Sequence, residues 1–356
     1  MSQSLFSSFR LGRIELANRI VMAPMTRNRA IGNVPGDLEA TYYSQRASAG
    51  LIVTEGVAPS PNGVGYARIP GLYSEAQVAG WRKVTSAVHA AGGKLFAQLM
   101  HTGRASHQAN LPAGATVLAP STVALAEGIY VDGQGNVPAT QPVAMSESQI
   151  EATIGEYVAA AQNAIAAGFD GVEIHGANGY LIDQFLNTAS NLRSDAWGGS
   201  VAGRSRFALE IARRTAQAIG ADRVGIRLSP YGAFNGMGTD ADTDALYLHL
   251  AAELAKLGLV YVHIVDHSPM GAPPVPQSIK DGIRAAFKGT YILSGGYDAA
   301  RGEADLQAGK GELVAFGRPF ISNPTLVAKL QSGAELAQPD FGTFYTPGAQ
   351  GYSDYV

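Results

Sequence analysis

Short apolar runs that favour β-structure recur eight times along this chain of 356 residues, and this repetition constrains the fold more than any other feature. Each run is followed by a segment whose apolar residues have helical spacing. The predicted strands span residues 19–26, 51–57, 94–101, 171–177, 224–230, 261–266, 290–296 and 312–318. Eight strand–helix units with short connections favour an α/β fold, a closed (β/α)8 TIM barrel, over an open doubly wound sheet.

The clearest helix is predicted between Ser146 and Ala167. Ser146 followed by Gln149 is typical of a capping box, and the apolar residues that follow lie on one helical face. After the last strand, residues 323–331 also have helical spacing. The alternation of strand and helix therefore continues to the end of the predicted barrel.

Two segments are additional to the eight units. Residues 11–16 precede the first strand and are predicted to form a hairpin across the bottom of the barrel. Residues 102–144, rich in Gly, Pro and Ala, form a long insertion after the third strand, at the face where barrel active sites lie. No linker divides the chain, so we expect one domain over residues 1–356.

Composition excludes several classes of function. Hydrophobic residues make up 46% and charged residues 15%, the formal net charge is −3, and no long run of one sign occurs, so neither a nucleic-acid surface nor a basic membrane patch is expected. The chain has no cysteine, which excludes disulfides, iron–sulfur clusters and a cysteine nucleophile. With neither a secretory leader nor an apolar membrane span in the sequence, we expect a cytoplasmic protein.

The exit of the predicted fourth strand carries His175, Asn178 and Tyr180. Residues at strand exits line the active site of such barrels. His175 and Asn178 can donate hydrogen bonds to a carbonyl or nitro oxygen that gains negative charge, and Tyr180 can deliver a proton nearby. The same residues also fit a structural role: a core histidine, a turn and a packed tyrosine. The strand exits offer no convincing partner set for a zinc ion at His175.

Two other strands offer uncharged polar groups. Thr26 follows Pro24 and Met25 at the exit of the first strand, where its hydroxyl could bond a cofactor carbonyl while the other two pack under a planar ring. An ordinary strand end is the alternative. Gln98 lies in an otherwise apolar third strand, and a buried amide needs hydrogen-bond partners. The pyrimidine edge of a flavin offers both donors and acceptors.

Arg227 is a permanent cation on an interior strand, and burying such a charge is costly unless it is paired. One possible partner is an internal carboxylate such as Glu173 or Glu55, which would make Arg227 structural. The other is the anionic reduced form of a flavin. The sequence leaves both open.

The last two strands end in glycine-rich turns, where this fold frequently binds phosphate. The turns contain Gly295 and Gly296 in one case, and Phe316, Gly317 and Arg318 in the other. Glycines let backbone N–H groups approach a phosphate closely, and an arginine can pair with it through two hydrogen bonds. Together with the preceding residues, these turns would surround one flavin mononucleotide.

Four segments match motifs of one known family. They are 18–27 (NRIVMAPMTR), 98–104 (QLMHTGR), 173–181 (EIHGANGYL) and 316–319 (FGRP), and the similarity extends to residues 351–355 (GYSDY) at the C-terminus. A further loop, formed by residues 191–195 and 197–200 with Arg204, also matches and is interpreted as structural. On these segments the chain resembles the Old Yellow Enzyme family of FMN-dependent ene-reductases, from about residue 4 to the C-terminus. It is most similar to the bacterial alkene and N-ethylmaleimide reductase branch.

The resemblance implies a role for each candidate residue. FMN would be bound non-covalently, reduced by NADPH or NADH, and reoxidised by small electron-poor alkenes such as enones, enals, maleimides or nitroalkenes. His175 and Asn178 would bind the activating oxygen of the substrate while hydride passes from flavin N5, and Tyr180 would donate the proton. Thr26 would bond flavin O4 and tune its potential. The other implied contacts are Pro24, Met25, Gly56, Gln98, Arg227, Gly295, Gly296, Phe316, Gly317 and Arg318 for the flavin, and Tyr66, Met100 and Tyr352 for the substrate pocket.

Met100 departs from the family, since many relatives carry Trp there, so relatives' substrate preference and facial selectivity are not transferred. Preference for NADPH or NADH stays open, as does the choice between monomer and homodimer. A lyase or aldolase would need a Schiff-base lysine at a strand exit, and Lys94 lies at a strand start. A flavin-binding sensor or store without alkene turnover is the remaining alternative, against which Tyr180 argues.

Overall fold

The computed structural model describes residues 4–355. Within this range the strands are β1 Phe9–Leu11, β2 Ile14–Leu16, β3 Ile20–Met22, β4 Leu51–Val57, β5 Leu95–Leu99, β6 Leu118–Ala119, β7 Gly128–Val131, β8 Gly135–Pro138, β9 Val143–Ala144, β10 Gly171–Gly176, β11 Val224–Leu228, β12 Tyr261–Ile264, β13 Thr290–Leu293 and β14 Leu313–Phe316. The α-helices are α1 Asp37–Ser44, α2 Glu75–Ala90, α3 Glu147–Ala166, α4 Leu181–Leu186, α5 Val201–Ile219, α6 Thr243–Lys256, α7 Gln277–Phe287, α8 Ala299–Gln307, α9 Arg318–Ser322 and α10 Leu326–Ser332.

Eight parallel strands close into a barrel. They follow the order β3, β4, β5, β10, β11, β12, β13, β14, and β14 pairs with β3 to close the ring. This confirms the predicted (β/α)8 barrel. The first strand is shorter than predicted: β3 ends at Met22, and the chain from Ala23 onward is irregular. Pro24 has no N–H to donate to a ladder, which explains the early end.

The predicted N-terminal hairpin is present but starts two residues earlier. β1 pairs antiparallel with β2, and Leu11 and Leu16 are buried with Phe96 and Tyr261 inside the barrel. Because Leu16 lies only four residues before β3 begins, the hairpin covers the end of the barrel where the strands start. The opposite end is therefore the open mouth.

The insertion over residues 102–144 contains two small sheets. β7 and β8 form an antiparallel hairpin, and β6 pairs with β9 in parallel. The Arg68 guanidinium forms an ion pair with Asp132 and donates a hydrogen bond to the carbonyl of Tyr345 at 2.8 Å. The insertion hairpin is thus joined to the C-terminal segment beside the barrel mouth.

The helices pack outside the sheet and bury its apolar outer face. α3 begins as predicted: the Ser146 hydroxyl accepts from the Gln149 backbone N–H at 3.3 Å, and Gln149 Oε1 accepts from the Ser146 N–H at 2.9 Å. The helix expected over residues 323–331 is α10, preceded by the short α9. Among residues 4–355, no helix has the length and apolar character that a membrane crossing would require.

Alternating residues of the barrel strands face the interior and place polar groups there in layers. Gln98 on β5, Glu173 on β10, Gly225 on β11 and Tyr261 on β12 share one level. His175, Arg227 and His263 form the next level toward the mouth. A Cβ atom at Gly225 would collide with the Tyr261 ring, so glycine is needed there for that ring to fit inside the barrel.

Candidate active site

The exit of β10 is built to aim polar groups at the barrel mouth. Asn178 and Gly179 both have left-handed backbone conformations, with φ of 61° and 70°, which turns the chain sharply after the strand. The Asn178 N–H donates to the Ser229 hydroxyl at 2.9 Å, and its carbonyl accepts from the Asn235 side chain at 2.8 Å. Asn178 Oδ1 is buried with no hydrogen-bond partner in the described chain.

Two side chains of α4 hold this turn from behind. Asp183 Oδ2 accepts from the Gly179 N–H at 2.9 Å and from the Ser229 hydroxyl at 3.0 Å. The Gln184 amide donates to the carbonyls of Gly179 at 2.7 Å and Thr102 at 3.0 Å. Burial raises the pKa of Asp183 to about 6. The turn that carries Asn178 is therefore fixed by buried polar contacts.

His175 is a neutral imidazole at the base of the mouth. Its side chain is 2% exposed, and burial, followed by the charge of Arg227, lowers its pKa well below the usual range. Nδ1 has no partner among residues 4–355. Its ring meets the Tyr180 ring edge-on, with centroids 5.1 Å apart. A neutral ring with free hydrogen-bonding capacity can donate to a ligand oxygen without placing a second cation beside Arg227.

Tyr180 and Tyr66 form an aromatic pair above His175. Their centroids are 6.0 Å apart in an edge-to-face arrangement. Burial, and after it the Tyr66 hydroxyl, raises the pKa of Tyr180 well above its ordinary value. Tyr180 is therefore held in its protonated form at physiological pH, as a proton donor requires.

Arg227 is buried, and its guanidinium makes neither a hydrogen bond nor a salt bridge within residues 4–355; Nε is fully covered. Neither carboxylate considered from the sequence serves as its direct partner. Glu173 accepts from other donors, and Glu55 accepts from the Arg27 N–H and the Tyr43 hydroxyl. Glu173 attracts Arg227 without a hydrogen bond or salt bridge, so the guanidinium donors of Arg227 are available to a ligand.

The Glu173 carboxylate is the centre of a hydrogen-bond network that sequence reasoning missed. It accepts from Gln98 Nε2 at 2.8 Å, the Tyr261 hydroxyl at 3.1 Å and His263 Nδ1 at 2.9 Å. Burial alone would raise the pKa of Glu173, but His263, Arg227 and Gln98 together hold it below its usual value. The sequence does contain a sign of this network. Glu173 lies two residues before His175, and Tyr261 lies two residues before His263, so each pair faces the same side of its strand, which is the barrel interior.

The exit of β3 lies beside the exit of β14. The Ala23 N–H donates to the Phe316 carbonyl at 2.9 Å, and Met25 Sδ would lie 3.7 Å from a Cβ added to Gly317. Pro24 is buried, whereas Met25 and Thr26 are partly exposed. The Thr26 hydroxyl makes no hydrogen bond to the described chain, so it is free to bond a ligand.

Gly56 and Met100 are in direct contact. A Cβ atom at Gly56 would overlap the thioether of Met100, so only glycine allows this approach. Met100 is 1% exposed and packs in the same apolar cluster as Tyr66 and Tyr180. Met100 therefore supports the pocket from behind, and its own surface is covered.

The predicted phosphate-binding turns meet at the other side of the mouth. Gly295 and Gly296 have φ of 114° and 64°, conformations that disfavour other residues. Arg318 is exposed, lies over the Phe341 ring at 5.5 Å and forms no salt bridge within the described range. Arg301 donates to the Gly295 carbonyl at 2.7 Å, which adds a second cation that the sequence analysis did not identify.

The prediction that Tyr352 forms a wall of the pocket is wrong. Its side chain is 0% exposed and stacks on Tyr42 with centroids 4.0 Å apart, inside the protein. The neighbouring Tyr345 is 58% exposed, and after burial it contributes to the raised pKa of both Tyr66 and Tyr180. The sequence around Tyr345 and Tyr352 does not indicate which of the two is exposed; only their packing in the structure does.

These residues fit FMN. The buried polar atoms that lack partners within residues 4–355 include Arg227 Nε, His175 Nδ1, Asn178 Oδ1 and His263 Nε2, all at one end of the barrel. A buried cation with unused donors suits the electron-rich N1–O2 edge of a flavin. The loop residues 191–204, in contrast, bond backbone carbonyls: Arg193 donates to Met145 at 2.6 Å and Arg204 to Leu186 at 3.0 Å. Their geometry agrees with the structural interpretation.

Comparisons with known proteins agree with this site. Residues 4–337 match the family described as NADH:flavin oxidoreductase / NADH oxidase. The chain is 46% identical to chanoclavine-I aldehyde reductase of Penicillium roqueforti, covering 99% of this chain and 96% of the relative. It is 39% identical to a probable flavin mononucleotide-dependent alkene reductase of Leishmania infantum, covering 97% and 95%.

The solved structure of morphinone reductase superposes with a TM-score of 0.96 at 43% identity, covering 100% of this chain and 96% of that one. The same protein has been solved with tetrahydroNAD, a nicotinamide coenzyme analogue. The barrel fold and the flavin site of this chain therefore agree with those relatives. The chain belongs to the NADH:flavin oxidoreductase / NADH oxidase family of FMN-dependent enzymes.

Proposed function

We propose that this enzyme reduces the carbon–carbon double bond of electron-poor alkenes, using NADH or NADPH as the source of electrons. The observation that carries the proposal is the juxtaposition of neutral His175 and protonated Tyr180 beside the unpaired Arg227. When bound, FMN supplies reversible hydride transfer, first from the nicotinamide and then to the alkene. Alkene reduction is also what the name of the Leishmania relative states.

His175 and Asn178 bind the oxygen of the substrate's activating group. Both side chains carry N–H donors, and both lie at the exit of β10. As the double bond accepts a hydride, negative charge develops on this oxygen, and fixed donors stabilise it. His175 donates this hydrogen bond as a neutral imidazole and keeps its proton throughout.

Tyr180 delivers the proton that completes the reduction. Its raised pKa keeps the proton on the hydroxyl until carbanion character develops on the carbon next to the activating group. Tyr66 packs edge-on against Tyr180, and the Met100 cluster closes the space behind them. Water is thereby kept away from the side of the pocket from which the proton comes.

The remaining candidates would hold the cofactor. Gln98 and Arg227 would bond the pyrimidine edge of the flavin, and Thr26 its O4, with Pro24, Met25 and Gly56 along the ring. The phosphate would be bound at the mouth by Gly295, Gly296, Phe316, Gly317 and Arg318. The free Thr26 hydroxyl and the unpaired guanidinium of Arg227 support these assignments.

The proposed substrates are enones, enals, maleimides and nitroalkenes, since each carries an oxygen that His175 and Asn178 can bind. The expectation of one domain over residues 1–356 stays a prediction, as does the cytoplasmic location.

The test is anaerobic stopped-flow absorbance of the oxidised flavin band. NADH or NADPH is added first, followed by 2-cyclohexenone or N-ethylmaleimide. We expect bleaching by the nicotinamide and recovery on adding the alkene. Bleaching without recovery would contradict alkene reduction for these acceptors and favour a flavin-binding sensor or store. A protein that takes up no FMN would overturn the assignment of the site.

A further inference from the structure

We infer that Glu173 is a positioning residue, which fixes the orientation of Gln98 and sets the net charge of the barrel interior beneath the flavin. The inference rests on the proposed flavin site. Glu173 lies at the level of Gln98, one layer below Arg227 and His175, and makes its contacts to side chains inside the barrel. Its influence is therefore exerted through neighbouring side chains.

The surroundings of Glu173 identify its charge state. Its side chain is fully buried, and Gln98 Nε2, the Tyr261 hydroxyl and His263 Nδ1 lie within hydrogen-bond distance of the carboxylate oxygens. Burial raises the pKa of Glu173, but His263, Arg227 and Gln98 outweigh burial and hold this pKa below its usual value. Glu173 is therefore ionised, and all three contacts donate to it.

Glu173 removes the rotational ambiguity of the Gln98 amide. Because a carboxylate only accepts, the NH₂ end of Gln98 must face Glu173, at 2.8 Å. The carbonyl oxygen of the amide is then turned away from Glu173. The Gln98 backbone is held as well, since its N–H donates to the Thr54 hydroxyl at 3.1 Å. Gln98 thus presents one defined pattern of acceptor and donor to the pyrimidine edge.

Glu173 also offsets the charge of Arg227. The titratable groups facing this interior are Glu173, Arg227, His175, Tyr261 and His263, together with Tyr180 and His267 above them. The three histidines are neutral and both tyrosines keep their protons. One negative and one positive charge remain. Neutralising Glu173 leaves Arg227 uncompensated, which favours a reduced, anionic flavin over the oxidised, neutral one.

The experiment measures the dissociation constants of oxidised and reduced FMN, or equivalently the midpoint potential of the bound flavin. Glu173→Gln removes the charge and keeps the shape; His263 can accommodate the change by switching tautomer. We expect the ratio of the two constants to change about tenfold in favour of the reduced form, a positive shift of about 30 mV for a two-electron couple. Glu173→Asp keeps the charge but withdraws the carboxylate from Gln98, so both forms should bind more weakly at an unchanged ratio.

Tyr261→Phe is the matched control, since it removes one hydrogen bond from the same carboxylate without changing the charge. We expect an unchanged ratio. An unchanged ratio in Glu173→Gln, or an equal shift in Tyr261→Phe, would overturn the inference. The binding constants and the midpoint potential are measured without an alkene. A wild-type protein that binds FMN but does not reduce alkenes would therefore contradict the proposed function, while the role of Glu173 could still be tested. If Glu173→Gln does not fold, a changed ratio in Glu173→Asp would overturn the inference.

Discussion

At the scale of single residues, burial sets the protonation state of the groups that face the barrel mouth. It lowers the pKa of His175 and raises that of Tyr180, so the ring is neutral and the phenol protonated at neutral pH. The two groups stand in edge-on contact at 5.1 Å between centroids. A hydrogen-bond donor and a proton donor are thereby available at the same time.

Tyr180→Phe should abolish the proton transfer while keeping the aromatic packing. We expect the rate of alkene reduction to fall by about 10²- to 10⁴-fold, the usual contribution of a general acid. Reduction of the flavin by NADH needs no proton from Tyr180 and serves as the internal control. Stopped-flow measurement of both half-reactions tests this, and an equal loss in both would indicate general damage to the site.

The pH dependence follows from the same shift. Because the pKa of Tyr180 is raised well above 10, the hydroxyl stays protonated as pH rises from 7 to about 10. We therefore expect the alkene half-reaction to show no loss attributable to this phenol over that range. A decline centred near the ordinary tyrosine pKa would argue that Tyr180 is solvated, or is not the donor.

Tyr345 and Tyr352 differ in a way that can be measured. Tyr345→Ala removes an exposed ring beside Tyr66 and Tyr180, and we expect a higher KM for bulky alkenes. Tyr352→Phe removes a buried hydroxyl that has no partner in the described chain, so stability should be unchanged or rise by up to about 1 kcal/mol. Steady-state kinetics and urea unfolding distinguish them. A KM change confined to Tyr352→Phe would restore the original prediction for that residue.

At the scale of elements, the turn between β10 and α4 depends on a buried carboxylate. Asp183 binds the Gly179 N–H and the Ser229 hydroxyl through one oxygen, and Ser229 in turn holds the N–H of Asn178. Burial raises its pKa to about 6. At this group the folded state binds a proton more tightly than the unfolded chain, so the contribution of Asp183 to stability is fully present below pH 4 and is lost as pH rises through about 6.

Asp183→Asn should remove this dependence. The asparagine oxygen can accept both hydrogen bonds, so the turn is kept without the cost of ionisation. A shift from 3.8 to about 6 corresponds to about 3 kcal/mol between pH 4 and pH 8. We expect the free energy of unfolding, measured in urea at both pH values, to fall between pH 4 and pH 8 by about 3 kcal/mol less in the variant than in wild type. An unchanged profile would show that another group causes it.

Sequence periodicity predicted these elements well but not their ends. Alternation and apolar spacing identified the eight barrel strands and α3, because both report which face is buried. Pro24 ended β3 early, and α9 intervened before the expected last helix. Such boundaries depend on local hydrogen bonds that a periodic pattern does not record.

At the scale of the whole molecule, the barrel assembles the site from strand exits that are far apart in the sequence. Residues such as Thr26, His175 and Gly317 could be assigned because their motifs resemble those of one family and lie at strand exits. The contact between Glu173 and His263 could not be predicted from the sequence. It joins β10 to β12 across the intervening β11, and it depends on Gly225 leaving room for the Tyr261 ring. Tyr352 was misassigned because burial of a C-terminal segment is decided by tertiary packing.

If Arg227 binds FMN as proposed, cofactor binding is linked through it to the stability of the whole barrel. Ligand that binds only the folded state stabilises it by about 2.7 kcal/mol at a hundredfold excess over Kd. We expect FMN removal to lower the unfolding free energy by at least this amount at such concentrations. The apo stability of Arg227→Met reflects two opposing changes, because removal of a buried cation without a direct partner is favourable, whereas loss of its attraction to the buried carboxylate of Glu173 is unfavourable.

The increment from added FMN should be much smaller in Arg227→Met than in wild type. Arg213→Met on α5 is the matched control, because Arg213 is paired with Glu210 at the surface, far from the barrel mouth. Its FMN increment should equal that of wild type. Thermal unfolding at graded FMN concentrations measures all three proteins. If Arg227→Met instead destabilised the apo protein strongly and kept the full increment, Arg227 would be a structural cation balancing Glu173, and the flavin would be held by other groups.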